Sequence, residues 1–395
     1  MTGPQPLKNL KVVEFTHMVM GPAVGAILAS LGAEVVRVEP IGGDRTRRLI
    51  GSGAGYFPMY NRHKASICLD LKSPEGIAVA RDLVAGADIL IENYRPGAMD
   101  RLGLGYDALS VGNPRLIYCS EKGFLPGPYE ERTALDEVAQ MMGGLAYMTG
   151  PPGKPLRAGS SVIDVTGGMF GVIAILAAVE ERHRTGRGQK VQSSLFETTI
   201  YLIGQHMAQL AVTGQPAAPM PARLSAWAIY DVFETADDRP IFIGVVTDAL
   251  WEKFCALFDL DDLWADESIR ENTARVLARD RIMPQIRALV KGWSRDDLIA
   301  RLEGTGLPFA PIGRPEDMFD DPHLRASGGL EPVTLADGRA TVLPTLPIEM
   351  NGARPHAAAV LPQAGADTRS VLAGLGYDDA RIEALLESGA VEGQK

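Results

Sequence analysis

Short apolar runs alternate along the first half of the chain with stretches whose apolar residues recur every three or four positions. LKVVEFT, ending at Thr16, has the pattern of a buried strand, and EVVRVEP that of a second. Between them GPAVGAILASLGA predicts a small-residue helix that stops near Gly32. SPEGIAVARDLVAGA opens on Ser73-Pro74-Glu75: a capping hydroxyl, a proline with no N–H to lose and an acid predict a helix start there. DILIEN and RLIYCS are two more strands. This rhythm predicts a doubly wound parallel α/β sheet. GMFGVIAILAAV is apolar on every face, which predicts a core helix.

From about Ala226 the pattern changes. AIYDVFETADDRPIFIGVV predicts two antiparallel strands around a polar turn. DALWEKFCALFDL, NTARVLARDRIMPQIRALVKGW and SRDDLIARLEGTG carry apolar residues at helical spacing. A second, smaller domain over residues 226–325 is the expectation. After a Pro- and Gly-rich exit, DTRSVLAGLGYDDARIEALLESGAV predicts a pair of short helices.

Composition narrows the class. The 395 residues are 46% hydrophobic and 22% charged, with 39 Lys+Arg against 49 Asp+Glu and a net charge of −10. Such an acidic chain does not suit nucleic acid or an anionic membrane as main partner. Cys68, Cys119 and Cys255 are far apart, so neither a disulfide frame nor a metal site is expected. No leader pattern opens the chain, and the longest apolar segment, near Met169 to Val179, falls short of the ~20 residues of a membrane span. A cytoplasmic protein is the expectation.

The candidate chemistry centres on Asp164, a lone acid in RAGSSVIDVTGG just before the apolar helix. Helix-start N–H groups favour an ionised carboxylate, which suits a nucleophile. A simple helix cap fits the same spacing and is the commoner role. Arg62, Lys64, Lys72, Asn93, Arg95 and Arg101 flank predicted strands, where α/β sheets gather ligands. They suit a phosphorylated ligand, but a solvated loop with scattered charges is the commoner meaning of such a pattern. Asp136 and Glu137 start a predicted helix as dipole partners, with an acid–base role as the alternative. His17 lies in the first strand-to-helix turn, and no histidine has metal spacing. The G-x-G-x-x-G fingerprint does not follow the first strand, and G-x-S-x-G is absent.

Taken in order, LKVVEFTHMVMGPAVGAILASLGAEVVRVEPIGGDRTR, NRHKASICLDLKSPEG, ENYRPGAMDRLGLGYDAL, NPRLIYCSEKGF, DVTGGMFGVIAILAAVEERHRTGRGQKV and GLPFAPI resemble the class III CoA-transferases. That family includes formyl-CoA transferase, carnitine CoA-transferase and α-methylacyl-CoA racemase. The resemblance implies an α/β fold: a Rossmann-like large domain built from residues 1–225 and a returning segment 326–395, a smaller α+β domain inserted at 226–325, and an interlocked homodimer. It implies no tightly bound cofactor, with coenzyme A thioesters and a small carboxylic acid as substrates. Asp164 matches the family's catalytic aspartate, which forms an acyl anhydride and then a CoA thioester. Gly167 and Gly168 would admit substrate and offer N–H groups to an oxyanion. The CoA contacts map onto Met18, Val19, Leu69, Lys72, Asn93, Tyr94, Arg101, Lys122 and Arg132. One nucleotide-binding arginine has no counterpart, since Glu39 runs into Pro40, leaving Arg37 or Arg62 to compensate. Racemase chemistry needs a histidine where Leu135 stands and is disfavoured. No glycine run lies near Ser225 to Val246, which disfavours oxalate and formate. The implied reaction is CoA transfer from succinyl-CoA or another dicarboxylyl-CoA. An intramolecular transfer and a non-catalytic CoA-binding subunit are the alternatives. Lys154, Arg157 and Arg223 are candidates to meet a second substrate carboxylate.

Overall fold

The structure is a computed structural model and describes residues 3–355 and 360–393. Six strands form a parallel sheet: β1 (Lys11–Phe15), β2 (Glu34–Glu39), β3 (Ala65–Leu69), β4 (Ile89–Glu92), β5 (Ile117–Lys122) and β6 (Lys190–Ser194). They lie in the order 3-2-1-4-5-6, and a short last strand, Val391–Glu392, adds antiparallel to the β3 edge. This is the strand order of a doubly wound nucleotide-binding sheet, whose ligands sit beyond the carboxyl ends of the strands.

Both faces of the sheet are covered, which is why its strands are apolar runs rather than alternating ones. On one face Val13, Phe15, Val36 and Leu90 pack with Val79 and Leu83 of the helix Pro74–Ala85 and with Leu372 and Ile382 of the C-terminal helices Thr368–Gly374 and Asp379–Glu387. On the other, Val12, Val35, Ile89 and Ile117 pack with Val24 and Leu28 of the helix Met20–Ser30 and with Val172 and Ile175 of the long helix Val162–Thr185. The Ser73 hydroxyl accepts the Gly76 N–H at 3.0 Å and Pro74 opens the helix, as the Ser-Pro-Glu signal predicts.

The chain divides into two compact units, Met1–Pro221 with Pro322–Lys395, and Ala222–Asp321. In the second, β7 (Ile229–Phe233), β8 (Ile241–Val245) and β9 (Phe309–Pro311) form an antiparallel sheet. Its core gathers Trp251, Phe254, Ile282, Ile286 and Leu298 from the surrounding helices. The expected single helix through NTARVLARDRIMPQIRALVKGW is two helices, Asn272–Leu277 and Arg279–Lys291, meeting at Ala278. Nothing in the sequence reading anticipates the hairpin Leu330–Thr334/Ala340–Pro344. It is held by Glu331, whose carboxylate meets Arg62 at 2.7 Å and His63 at 3.0 Å.

The apolar helix is longer than the segment near Met169 to Val179 suggests. Val162–Thr185 has 24 residues and, among the described residues, is the one helix long and apolar enough to cross a membrane. It ends at Gly186, whose φ of +73° makes the left-handed cap. One face of the helix is seated on the sheet and on Met20–Ser30, and the buried Arg182 near its end bonds Asp88.

Candidate active site

Asp164 lies in the first turn of Val162–Thr185, yet it is not the cap. The cap comes from another helix, Asp136–Met142: Asp136 Oδ2 accepts the N–H groups of Ile163 at 2.8 Å and of Asp164 itself at 3.1 Å. The other Asp136 oxygen accepts from Gln140 at 2.6 Å and from Arg157 at 3.1 Å. Asp136 is buried and fully used, a carboxylate at a helix start where the N–H dipoles favour it. Asp164 is therefore freed from local duty. Its half-buried carboxyl accepts no hydrogen bond from any described residue. Burial, then the neighbouring charge of Asp136, push it up to about 7, while Arg157 pulls the other way. This corrects the expectation of a fully ionised group: two unfavourable surroundings outweigh the helix N-terminus, and the carboxyl is poised near neutrality.

The glycines also act differently from expectation. Gly167 and Gly168 are buried against Met20: a Cβ on Gly168 would lie 2.8 Å from the Met20 carbonyl oxygen, and one on Gly167 would lie 2.6 Å from Met20 Cε. They let two helices approach. Their N–H groups lie beyond the first turn, within the helix ladder, so they are not oxyanion donors. Gly171 continues the seam, its missing Cβ leaving room for the buried Glu121 carboxyl. Glu121 is pushed up to about 8 by burial.

At the carboxyl ends of the strands the sequence-selected residues are partly brought together. Met18 has a left-handed backbone, φ +63°, and its N–H donates to Thr46 Oγ1 at 3.2 Å. Asn93 clasps the same turn, accepting the His17 N–H at 3.0 Å and donating to the His17 carbonyl at 2.9 Å. The rings of Tyr94 and His17 are 5.8 Å apart. Lys122 donates to the Tyr94 carbonyl at 2.8 Å and pairs with Glu92 at 2.7 Å. It lines a polar cavity of ≈ 170 Å³ with Arg95, Tyr118 and Lys190, and Asp164 is not among the lining residues. Val19 and Leu69 are buried. Lys72 is exposed in the turn after β3, and Arg101 is exposed at the end of the short helix Ala98–Arg101 that follows β4. The Arg132 guanidinium lies 4.3 Å over the Tyr129 ring.

Neither arginine named as a substitute for the missing nucleotide contact is available. Arg37 is wholly buried and bonds Glu14 at 3.0 Å, Thr16 at 3.0 Å and Asp44 at 2.8 Å. Arg62 is committed to Glu331 and to the Pro344 carbonyl at 2.9 Å. Lys64, donating to Glu14 at 2.8 Å and to the Pro22 carbonyl at 2.9 Å, is also internal, and burial lowers it to about 8. These charges brace the loops at the strand ends; they do not face a ligand. Of the cations considered for a second substrate carboxylate, Arg157 is tied to Asp136 and Glu137, and Lys154 is exposed. Arg223 belongs to the second unit.

Two tyrosines go unmarked in the sequence reading. Tyr56 and Tyr60 bound the short helix Tyr56–Tyr60, and the Tyr56 hydroxyl lies 3.4 Å from Ser161 Oγ, at the residue before the Asp164 helix. Their i, i+4 spacing was the available signal. Among the described residues no group of three or more His, Cys, Asp or Glu is arranged to hold a metal.

Residues 7–368 match the model of CoA-transferase family III. The chain is 34% identical over 352 residues to the succinate–glutarate CoA-transferase of Agrobacterium fabrum, covering 86% of this chain and 87% of that one. It is 30% identical over 408 residues to the succinyl-CoA:glutarate CoA-transferase of Homo sapiens, covering 99% and 91%. Among solved structures it is similar to a CAIB/BAIF family protein from Brucella suis, with a TM-score of 0.82 and 34% identity over 94% of this chain and 100% of that one. The chain thus belongs to CoA-transferase family III, and it is an enzyme of the CoA-transferase type, acting on CoA thioesters.

Proposed function

We propose that the chain moves CoA from succinyl-CoA, or another dicarboxylyl-CoA, to a free dicarboxylic acid of the glutarate class, with Asp164 as the covalent carrier. The observation that carries this reading is the state of Asp164: a half-buried carboxyl near neutrality, with no hydrogen bond from a described residue, on a helix start capped by a different acid. The ionised carboxylate attacks the thioester carbonyl, the C–S bond breaks, and CoA leaves as a thiolate. The thiolate attacks the aspartyl carbonyl of the anhydride, which releases the donor acid and leaves an aspartyl thioester. The acceptor carboxylate repeats the sequence in reverse and departs as the new thioester, restoring Asp164. The donor, enzyme and product thioesters are of similar energy, with the more activated anhydride passing between them.

CoA is placed along the carboxyl ends of the strands. The His17–Val19 turn, Leu69, Lys72, Asn93, Tyr94 and Arg101 form its contacts, Lys122 acting from the Glu92 side and Arg132 farther along. Racemisation has no support at position 135, where an extended leucine, 60% exposed, stands just before the Asp136 helix. Glutarate, named for both relatives above, heads the list of acceptors, with malate and mesaconate beside it. The enzyme acts as a homodimer of interlocked chains. Apolar stripes left open on Val162–Thr185 (Met169, Ile173, Leu176) and on the helix Leu195–Thr213 (Tyr201, Met207, Leu210) support this assembly.

The test is direct. Incubated with succinyl-CoA and each acid in turn, the protein forms a new acyl-CoA detectable by mass spectrometry. Hydroxylamine traps an adduct on the peptide containing Asp164. Asp164→Ala binds CoA but forms neither adduct nor product. Undiminished transfer by that variant overturns the assignment.

A further inference from the structure

On the transferase chemistry proposed above, negative charge develops on the carbonyl oxygen when Asp164 attacks, and a hydrogen-bond donor has to hold it. The helix start has little to offer. The N–H groups of Ile163 and Asp164 are taken by Asp136, that of Val165 by the Ser161 carbonyl at 3.0 Å, and those of Gly167 and Gly168 lie within the helix ladder, which leaves only the N–H of Val162 without a partner among the described residues. A side chain from another element is the better placed donor.

We propose that Tyr60 is a further catalytic residue, its phenol donating the hydrogen bond that stabilises the oxyanion formed at the acyl carbon beside Asp164. The placement follows from two short helical steps. Tyr56 meets Ser161 through their hydroxyls at 3.4 Å. Tyr60 is one turn on from Tyr56 along the same helix face, and Asp164 is one turn on from Ser161. The Asp164 charge acts on the Tyr60 hydroxyl, which sets the second tyrosine beside the nucleophile. The half-buried Tyr60 hydroxyl makes no hydrogen bond to any described residue, so it is free for substrate. Burial, the Asp164 charge and Tyr56 all raise its affinity for its proton, which keeps it a donor at neutral pH. The remaining partner of the helix start, Tyr56, is already engaged with Ser161 and is the weaker candidate.

In the reaction the phenol keeps its proton. As the Asp164 oxygen bonds to the thioester carbon, the carbonyl electron pair moves onto oxygen and the Tyr60 O–H binds it. Collapse of that oxyanion expels the thiolate. The same bond serves when the thiolate attacks the aspartyl carbonyl and the donor acid leaves.

Tyr60→Phe tests this, keeping the ring and removing only the oxygen. In a single turnover with succinyl-CoA and no acceptor, adduct formation on Asp164 slows on the order of 100-fold, the loss typical of one oxyanion donor. The KM for succinyl-CoA stays within about twofold and the thermal midpoint is unchanged, since a transition-state contact does not alter ground-state binding. Adduct formation within about threefold of wild type overturns the proposal. So does a defect confined to the acceptor's KM with normal adduct formation, which would make Tyr60 an acceptor-binding group. The wild-type arm separates this from the underlying reading: if wild-type protein gives no hydroxylamine-sensitive adduct at Asp164, the covalent chemistry itself is refuted, and the role of Tyr60 falls with it.

Discussion

At the residue scale the decisive relation is between two aspartates 28 positions apart. Asp136 takes the helix-start N–H groups and thereby denies them to Asp164, whose carboxyl is held by burial and by that neighbouring charge at about 7. Arg157 moderates the effect. Opposite shifts follow for the two neighbours. Asp136→Asn removes the repelling charge and moves the acidic limb of the pH–rate profile for adduct formation below 7, while Arg157→Gln moves it above. Rapid-quench profiles between about pH 5 and 9 read both limbs, since the limb reports the ionisation of the nucleophile. A shared direction of movement would count against this electrostatic assignment. The raised value also has a cost in stability. A carboxyl that binds its proton more tightly when folded adds stability fully present below its unfolded value of 3.8, lost as pH rises through about 7. Asp164→Asn is therefore more stable than wild type at pH 8, by ~2–4 kcal/mol, and the difference shrinks toward pH 4. Urea melts at the two pH values measure it.

At the scale of elements, the seam between Met20–Ser30 and Val162–Thr185 sets where Asp164 stands. Gly168→Ala drives a Cβ toward a backbone oxygen at 2.8 Å, which cannot yield without moving a helix. Gly167→Ala meets only the tip of the Met20 side chain, which can swing away. Overpacking of the first kind costs about 1–3 kcal/mol, against a gain of about 1 kcal/mol from replacing a helical glycine. Gly168→Ala is thus the more destabilised and the slower in adduct formation; thermal melts and single-turnover rates rank the pair. Much of this level was legible in the chain. The apolar runs marked β1, β2, β4 and β5, Ser73-Pro74-Glu75 marked its helix, and the small residues around Asp164 marked a helix start. What stayed hidden depends on contacts between distant segments. Asp136 reads as an ordinary dipole partner of its own helix until the fold carries it to another. Arg37, Arg62 and Lys64 read as ligand-binding cations, because local pattern cannot tell a buried ion pair from an exposed one. The glycines read as an opening for substrate for the same reason: a missing side chain says that something comes close, without saying what.

At the scale of the whole molecule, the C-terminal segment closes back on the first strands. Val391–Glu392 pairs with β3, the Ser66 N–H donates to Asp367 at 2.8 Å, and the Gly365 N–H donates to Ser66 Oγ at 3.0 Å. Residues 299 and 301 positions away are thus held to the sheet edge, and the chain between forms a closed loop. A loop of that kind is what the proposed interlocked homodimer requires, since a second chain threaded through it cannot leave while those pairings hold. Open apolar residues would give that dimer a driving force: Ile173 is 59% exposed on a helix whose other face is packed on the sheet, and Tyr201 is 73% exposed on the helix Leu195–Thr213, which has no buried residue beyond Thr199. The expected outcome is a dimer by light scattering at micromolar concentration. Tagged and untagged dimers, mixed under native conditions, form no mixed species over hours, although full denaturation and refolding together produces them. Ile173→Asp tests the driving force separately. A charge in a buried, unpaired position costs several kcal/mol, so assembly of that variant fails or slows sharply during refolding, whereas a surface residue tolerates the change within about 0.5 kcal/mol. Rapid exchange between wild-type subunits would rule out linked rings while leaving a simple dimer standing. A monomer in solution would rule out both, and would leave the stripes on the two helices to be explained by some other covering surface.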